Sequence, residues 1–375
     1  QPIVPAGDER AMIIAAVLLA LLLSWGVWEC ACHRKYTAQV PLRILVNGTR
    51  GKTSVARLTA AALNEAGIRT YAKTTGSQAR WIAPDGTETD YRGTRRPNLM
   101  EQLKFFRQAV QGGARAVVVE CMAIAAENQR VMAQHLVRPT HVLLTNAFVD
   151  HIDEIGDSVD ITAQTLALSV PQGAQVFVGN DDFTDVLPQA VRARPFYDVH
   201  YLSGLQFATH PDNVALVLAL TDALGIDRDA ALRGMRAARP DAGMAGPFMV
   251  GTCQIINAFA VNDAASFARV MVPLWALQQP VHLLYNHRSD RAYRLNVFAA
   301  AVKNMPMASL AVMGEGTAQA ARVFKKCTGR DVQVVHDPQG WIASLCQQPC
   351  HVVCFGNIKE AGLALVEHWM KEGTC

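Results

Sequence analysis

Charged side chains are scarce in this chain. Asp, Glu, Lys and Arg make up 18% of its 375 residues, against ~25% in an ordinary globular protein. Half of the residues are hydrophobic, which excludes intrinsic disorder, a state of low hydrophobicity and high net charge. No run of Lys and Arg exceeds two residues, and 35 basic against 32 acidic side chains leave a net charge of +3. The basic footprint of a nucleic-acid-binding protein is therefore missing. There is no triplet glycine period and no internal repeat, so fibrous and solenoid architectures are excluded as well. Nine cysteines, an odd number in a long chain, do not make a disulfide scaffold and suit a reducing compartment. Cys346, Cys350 and Cys354 recur every four residues as metal ligands on a helix would. Pro349 breaks that helix, and the residues after it read as a strand.

Long apolar runs are also absent, with one exception. Residues 11–28 (AMIIAAVLLALLLSWGVW) form 18 positions without a charge, the lower limit for a helix crossing ~30 Å of hydrocarbon. Trp25 and Trp28 close the run as interfacial aromatics do. Asp8-Glu9-Arg10 precede it and His33-Arg34-Lys35 follow, so the positive-inside bias places the bulk of the chain in the cytoplasm. A signal peptide would have a shorter apolar core and a small-x-small cleavage site directly after it. The expectation is a single-pass anchor retained in the cell (inner) membrane.

From residue 42 the pattern changes to short apolar runs alternating with helical periodicity. Strands are expected at 43–46, 116–120, 141–145 and 175–179, and helices at 53–66, 97–111, 128–135, 160–169, 213–224 and 228–239. Gly67 stops the first helix. A punctuated stretch, Arg239-Pro240-Asp241-Ala242-Gly243 with Gly246-Pro247, marks a boundary. Beyond it strands are expected at 254–257, 281–285, 310–313, 332–335 and 351–355, alternating with helices. Such alternation defines an α/β fold with mostly parallel sheets, here in two domains.

The chemistry concentrates after the first strand. Gly48-Thr49-Arg50-Gly51-Lys52-Thr53-Ser54 lies between that strand and its helix. Glycines let the backbone curl so that its N–H groups and the helix N-terminus converge on phosphate oxygens. Lys52 would reach the β- and γ-phosphates, and the Thr53 hydroxyl would ligate Mg²⁺. The position where a Walker loop carries its first glycine is Val46, so this is a variant G-T-x-G-K-T loop. Glu120 ends the run Ala116-Val117-Val118-Val119, and His151 follows another strand within Thr145-Asn146-Ala147-Phe148-Val149-Asp150-His151. At the C-terminal ends of parallel strands all three elements face one crevice.

Together these motifs resemble the Mur ligase superfamily of ATP-dependent amide ligases, from about residue 42 to 362. Gly48-Thr49-Arg50-Gly51-Lys52-Thr53 is similar to its G-T-x-G-K-T/S loop. Glu120 and His151 match its magnesium-binding positions, and Asp150-His151-Ile152-Asp153 its D-H-x-D segment. Gly179-Asn180-Asp181-Asp182 resembles its N-x-D-D strand end, and His210-Pro211-Asp212-Asn213 its H-x-x-N helix start. The resemblance implies a Mur-ligase-like P-loop ATPase domain plus a smaller C-terminal Rossmann-like domain. The divisions are then 1–35 (transmembrane anchor), 36–245 (central ATP-binding domain) and 246–375 (C-terminal domain). Two departures stand out. The loop follows the anchor with no room for a nucleotide-sugar domain, which argues against a peptidoglycan-precursor ligase. Gln164-Thr165-Leu166 occupies the region where many members carry a carbamylated lysine, which removes one support of a second metal.

The chain is most similar to the membrane-anchored Mur-like subunits of poly-γ-glutamate synthase, the CapB/PgsB family. The shared features are Lys73-Thr74-Thr75-Gly76, Arg92 with Arg95-Arg96, Asn257 through Asn262-Asp263, Asn286-His287-Arg288-Ser289-Asp290-Arg291 and Gly356-Asn357-Ile358. This implies glutamate joined to a growing poly-γ-glutamate chain through an acyl phosphate, with ATP and Mg²⁺ as cofactors. Lys52, Asp150 and His151 are the expected catalytic residues, and Thr53, Glu120 and His151 the metal ligands. ATP would meet the loop, Asn213, Arg288 and Arg291. Substrate would meet Thr75, Arg80, Arg92, Arg95, Arg96, Asn262 and Asp263, the arginines lying on a loop and suited to bidentate carboxylate pairing. The implied partners are the CapC/PgsC and CapA/PgsA subunits, and self-association is left open. Two alternatives are a folate- or amino-acid-type γ-glutamyl ligase and a membrane-tethered P-loop ATPase driving transport or assembly. The anchor speaks against the first; the second α/β domain and Asp150-His151 speak against the other.

Overall fold

The computed structural model describes residues 6–91, 97–149, 155–194, 211–261 and 264–372. Their contacts divide the chain into two compact units. The first comprises residues 1–74, 80–199 and 210–238; the second comprises 75–79, 200–209 and 239–375.

The first unit opens with α1 (Ala6–Gln39), which continues well past the apolar run. Its first half exposes large side chains, with Leu22 70% and Val27 71% exposed, while His33, Thr37 and Val40 are buried against the domain. His33 Nε2 lies 2.6 Å from the Leu136 carbonyl oxygen, and its ring meets Phe106 edge-on. The Arg43 guanidinium donates to the carbonyls of Val40 and Arg138 and so fixes the end of the helix. One helix thus serves as both apolar rod and domain element.

The sheet of this unit has the order β4-β3-β2-β5-β1-β6-β7-β8. Its strands are β1 (Leu42–Asn47), β2 (Thr70–Thr74), β3 (Arg80–Ile82), β4 (Glu88–Asp90), β5 (Ala116–Glu120), β6 (His141–Leu144), β7 (Gln175–Val178) and β8 (Val191–Arg192). All pair in parallel except β3 and β4. Strand β5 is buried at every residue, as a sheet covered on both faces requires. Helices α2 (Lys52–Glu65), α3 (Glu101–Gln111), α4 (Ala126–Val131), α5 (Val159–Ala167), α6 (Pro211–Ala223) and α7 (Arg228–Ala237) complete the unit.

Three expectations are corrected here. Arg80 is not on a loop; it opens β3, antiparallel to β2. The hairpin to β4 turns at Pro84-Asp85-Gly86, where the Thr87 N–H donates to Asp85 Oδ1; neither Arg-Trp-Ile nor Glu-Thr-Asp alternates apolar with polar residues. The helix expected at 128–135 starts earlier as α4 and widens into a π-helix over Met132–Val137, ending on Arg138 in a left-handed conformation (φ 49°). Helix α3 likewise begins at Glu101 rather than 97.

The second unit holds a sheet of order β13-β12-β11-β14-β10-β9. Its strands are β9 (Phe248–Val250), β10 (Cys253–Ala258), β11 (Val281–His287), β12 (Ser309–Gly314), β13 (Val332–Val334) and β14 (Cys350–Phe355). Only β9 is antiparallel. Helices α8 (Ala264–Trp275), α9 (Ala292–Val302), α10 (Thr317–Thr328), α11 (Pro338–Leu345) and α12 (Ala361–Glu372) flank it. One face buries Phe267, Phe298, Phe324 and Phe355, the other Phe248, Ile342 and Trp369. Cys253 and Cys350, 97 residues apart, are disulfide-bonded across β10 and β14. The strand register brings these cysteines together, something their spacing could not reveal. Among the described residues no cluster of metal-ligating side chains forms around Cys346 or Cys354.

Candidate active site

The loop Gly48–Gly51 sits at the C-terminal end of β1, where the sheet order reverses: β5 lies on one side and β6 on the other. In open α/β sheets this crevice is where ligands bind. Gly51 caps α2 in a left-handed conformation (φ 84°) and offers no capping side chain, and the first turn holds no acidic residue. Lys52 stands there instead, against the helix dipole. A helix start with no cap and a cation at its tip is a locally unfavourable choice, and it suits an anion.

The loop is strapped from β6. Asn146 accepts from the Thr49 N–H (3.0 Å, carbonyl) and from the Arg50 N–H (3.0 Å, Oδ1), and its Nδ2 donates to the Arg50 carbonyl. The Thr145 hydroxyl donates to the same carbonyl at 2.6 Å. Asn47 holds the other side, accepting from the Gly48 N–H and donating to Gln129 Oε1. Gly48 (φ 130°) has no room for a Cβ, which would strike the Thr145 side chain. Asp182, through the Ala147 N–H, anchors the segment after Asn146.

Lys52 folds across the loop, its Nζ 2.6 Å from the Gly48 carbonyl and 3.1 Å from that of Thr49. The Thr53 hydroxyl donates to Glu120 Oε1 at 3.0 Å, and Glu120 is 3% exposed. Register pairing of Val46 with Glu120 sets this meeting. Two adjacent oxygen ligands at the mouth of a phosphate loop fit a hard divalent cation. Asn213, at the start of α6, lies against Gly51: a Cβ there would come within 2.9 Å of its Oδ1. Ser54 is buried on α2. Burial pushes the neighbouring Cys121 thiol up to about 11.

The structure therefore gathers Gly48, Thr49, Arg50, Gly51, Lys52, Thr53, Ser54, Glu120 and Asn213 in one place in the first unit. Arg80 stands two strands from β5, in β3, between β2 and the edge strand β4. Thr75 belongs to the second unit. Arg288 and Arg291 also lie there, just after β11; Arg288 pairs with Asp290 at 2.7 Å, and Arg291 is exposed. Asp150, His151, Arg92, Arg95, Arg96, Asn262 and Asp263 lie outside the described residues.

Sequence reasoning gave Thr145 and Asn146 no mechanical role, and their signal was only a polar pair directly after a strand. It also gave none to Lys73, fully buried at the end of β2, 3.2 Å from Glu101 Oε2 and 4.9 Å above the Tyr91 ring.

Comparison with known proteins gives the family and the fold. Residues 46–206 match the Mur ligase middle domain, and residues 248–372 match the C-terminal domain of poly-γ-glutamate synthase CapB. The fold is that of the folylpolyglutamate synthases. One from Yersinia pestis, solved with AMPPNP and a manganese ion, superposes with a TM-score of 0.68 at 15% identity, covering 92% of either chain. Fold and loop together define a P-loop enzyme of the Mur ligase type. Two curated relatives narrow this. PGA synthase CapB of Bacillus subtilis is 31% identical over 336 residues, 84% of this chain and 85% of that protein. Capsule biosynthesis protein CapB of Bacillus anthracis is 28% identical over 393 residues, 98% and 84% respectively. The chain belongs to the CapB family of poly-γ-glutamate synthase subunits.

Proposed function

We propose that this protein is an ATP-dependent amide ligase that polymerises glutamate through γ-amide bonds at the cytoplasmic face of the membrane. The observation that carries the reading is the strapped loop with Lys52 above it and the Thr53–Glu120 pair beside it. ATP is the phosphoryl donor; the loop N–H groups and Lys52 hold its phosphates, and Asn213 closes the loop's outer side. Thr53 and Glu120, joined by His151, would hold Mg²⁺, which when bound offsets charge on the phosphates. The γ-carboxylate at the end of a growing chain takes the γ-phosphoryl group. The amine of the next glutamate then displaces phosphate, leaving a γ-amide, ADP and phosphate.

Arg80, with Arg92, Arg95 and Arg96, would attract the polyanion, and Thr75, Asn262 and Asp263 would contact substrate. Arg288, paired with Asp290, and Arg291 would contact ATP. Asp150 and His151 would act with Lys52 in catalysis. Water exclusion protects the acyl phosphate from hydrolysis. Helix α1 supports a membrane location, since Arg10–Gln39 is apolar and long enough to cross one. A lone helix makes no export path for a polyanion, which calls for membrane subunits of the CapC and CapA types.

Membranes carrying the protein with its partner subunits, given ATP, Mg²⁺ and labelled glutamate, are expected to form labelled polymer. Lys52→Ala should lower incorporation about a hundredfold or more, the usual cost of losing a charge-stabilising group. Undiminished incorporation by that variant rejects the mechanism.

A further inference from the structure

Where α1 leaves its apolar run it forms a cavity of about 460 Å³ with the start of α3 and the π-helix. The volume is ordinary for a small-molecule site. Its lining has two characters. Met100, Leu103 and Leu136 are apolar, while Arg34, His135 and Arg138 carry or can carry positive charge. Glu29, directly after Trp28, is the acidic group in the lining, and it forms no ion pair with either arginine. Neither the Arg34 nor the Arg138 guanidinium has a partner among the described residues. His33 also lines the cavity. It is 95% buried by its 5% exposure, yet its Nδ1 has no hydrogen-bond partner. A buried polar atom left unpaired is costly. The catalytic loop uses none of these groups.

We propose that this cavity binds the headgroup of an anionic phospholipid of the cytoplasmic leaflet. The inference rests on the membrane reading of α1 given above. Three observations favour a lipid over other anions. First, the cavity begins one residue beyond the interfacial Trp28, so its mouth stands at headgroup depth. Second, the unpaired guanidinium groups offer forked donors to a phosphate. Third, the apolar lining suits the glycerol and upper acyl carbons, which free phosphate or a polyglutamate strand lacks. Cationic pockets at the cytoplasmic end of a membrane helix are suited to anionic headgroups. The lipid would brace α1 against the domain on the side that His33 and Arg43 already hold.

The test uses the full chain purified in detergent, with retained and added lipids followed by native mass spectrometry. Phosphatidylglycerol should bind in preference to phosphatidylcholine. The pair Arg34→Gln and Arg138→Asn should weaken phosphatidylglycerol binding by about tenfold. Asn is chosen because it tolerates the left-handed backbone of residue 138. Arg34→Gln alone, at an exposed helix position, serves if the double variant does not fold, and should show a smaller loss of the same sign. Equal retention of the two lipids by the wild type overturns the proposal. So does unchanged affinity in the variants, or displacement of the lipid by inorganic phosphate or poly-γ-glutamate. Wild-type protein recovered in the soluble fraction would instead refute the membrane reading itself.

Discussion

Gly48 shows how much of the site rests on single residues. Its backbone angle of 130° favours glycine, and any Cβ would strike Thr145. Gly48→Ala is expected to cost about 1–3 kcal/mol of stability through strain. It should also weaken ADP binding at least about tenfold, since the loop can relax only by breaking its bonds to Asn146. Thermal melts and ADP titration check both. Lys73 makes a different case. It is fully buried and faces Glu101, so Lys73→Met removes one partner of a pair and should destabilise by about 3 kcal/mol. Adding Glu101→Gln should restore part of that loss, which a double-mutant cycle would reveal as a coupling energy. The loop residues were legible because glycine, lysine and threonine at fixed spacing carry their own mechanism. Thr145, Asn146 and Lys73 were not, because their work depends on partners 95 or more residues away or on burial.

At the scale of elements, α1 divides at about Trp28 into an exposed apolar half and a half packed on the domain. Deleting residues 6–28 should therefore release the protein into the soluble fraction while the domain still binds nucleotide. Fractionation and ADP titration decide it; a chain that stays with membranes would move the anchor elsewhere. The strong βα alternation was readable because strands buried on both faces run continuously apolar. The short elements were hidden. Strands β3, β4 and β9 hold three residues each and lack the apolar alternation of β13, which is equally short. The π-helix keeps helical composition while changing its hydrogen bonding. The bond between Cys253 and Cys350 depends on a parallel register that no local pattern encodes.

The whole molecule carries a pH signature from its buried and half-buried histidines. His141, His282, His287 and His351 are all held below the usual 6.5, in each case chiefly by desolvation; Glu315 opposes the shift at His287. The unfolded chain then takes up protons more readily than the folded one. Stability should be level above about pH 6.5 and fall as the pH drops below it. Chemical denaturation across that range tests this, and stability that rises on acidification would contradict it. His351 should contribute, since neither ring nitrogen has a partner and the residue is 4% exposed.

The scarcity of charge proves to be two properties rather than one. An uncovered apolar helix accounts for part, and two sheets with covered faces account for the rest. The order of residues alone determined the α/β class, the apolar N-terminal helix and the phosphate loop, because periodicity and motif spacing are local. Tertiary structure alone decided that Asn146 straps the loop, that Cys253 meets Cys350, and that α1 closes a cationic cavity at its own foot. Those outcomes depend on strand order and helix docking. Long-range burial selects both, and no window of sequence contains that information.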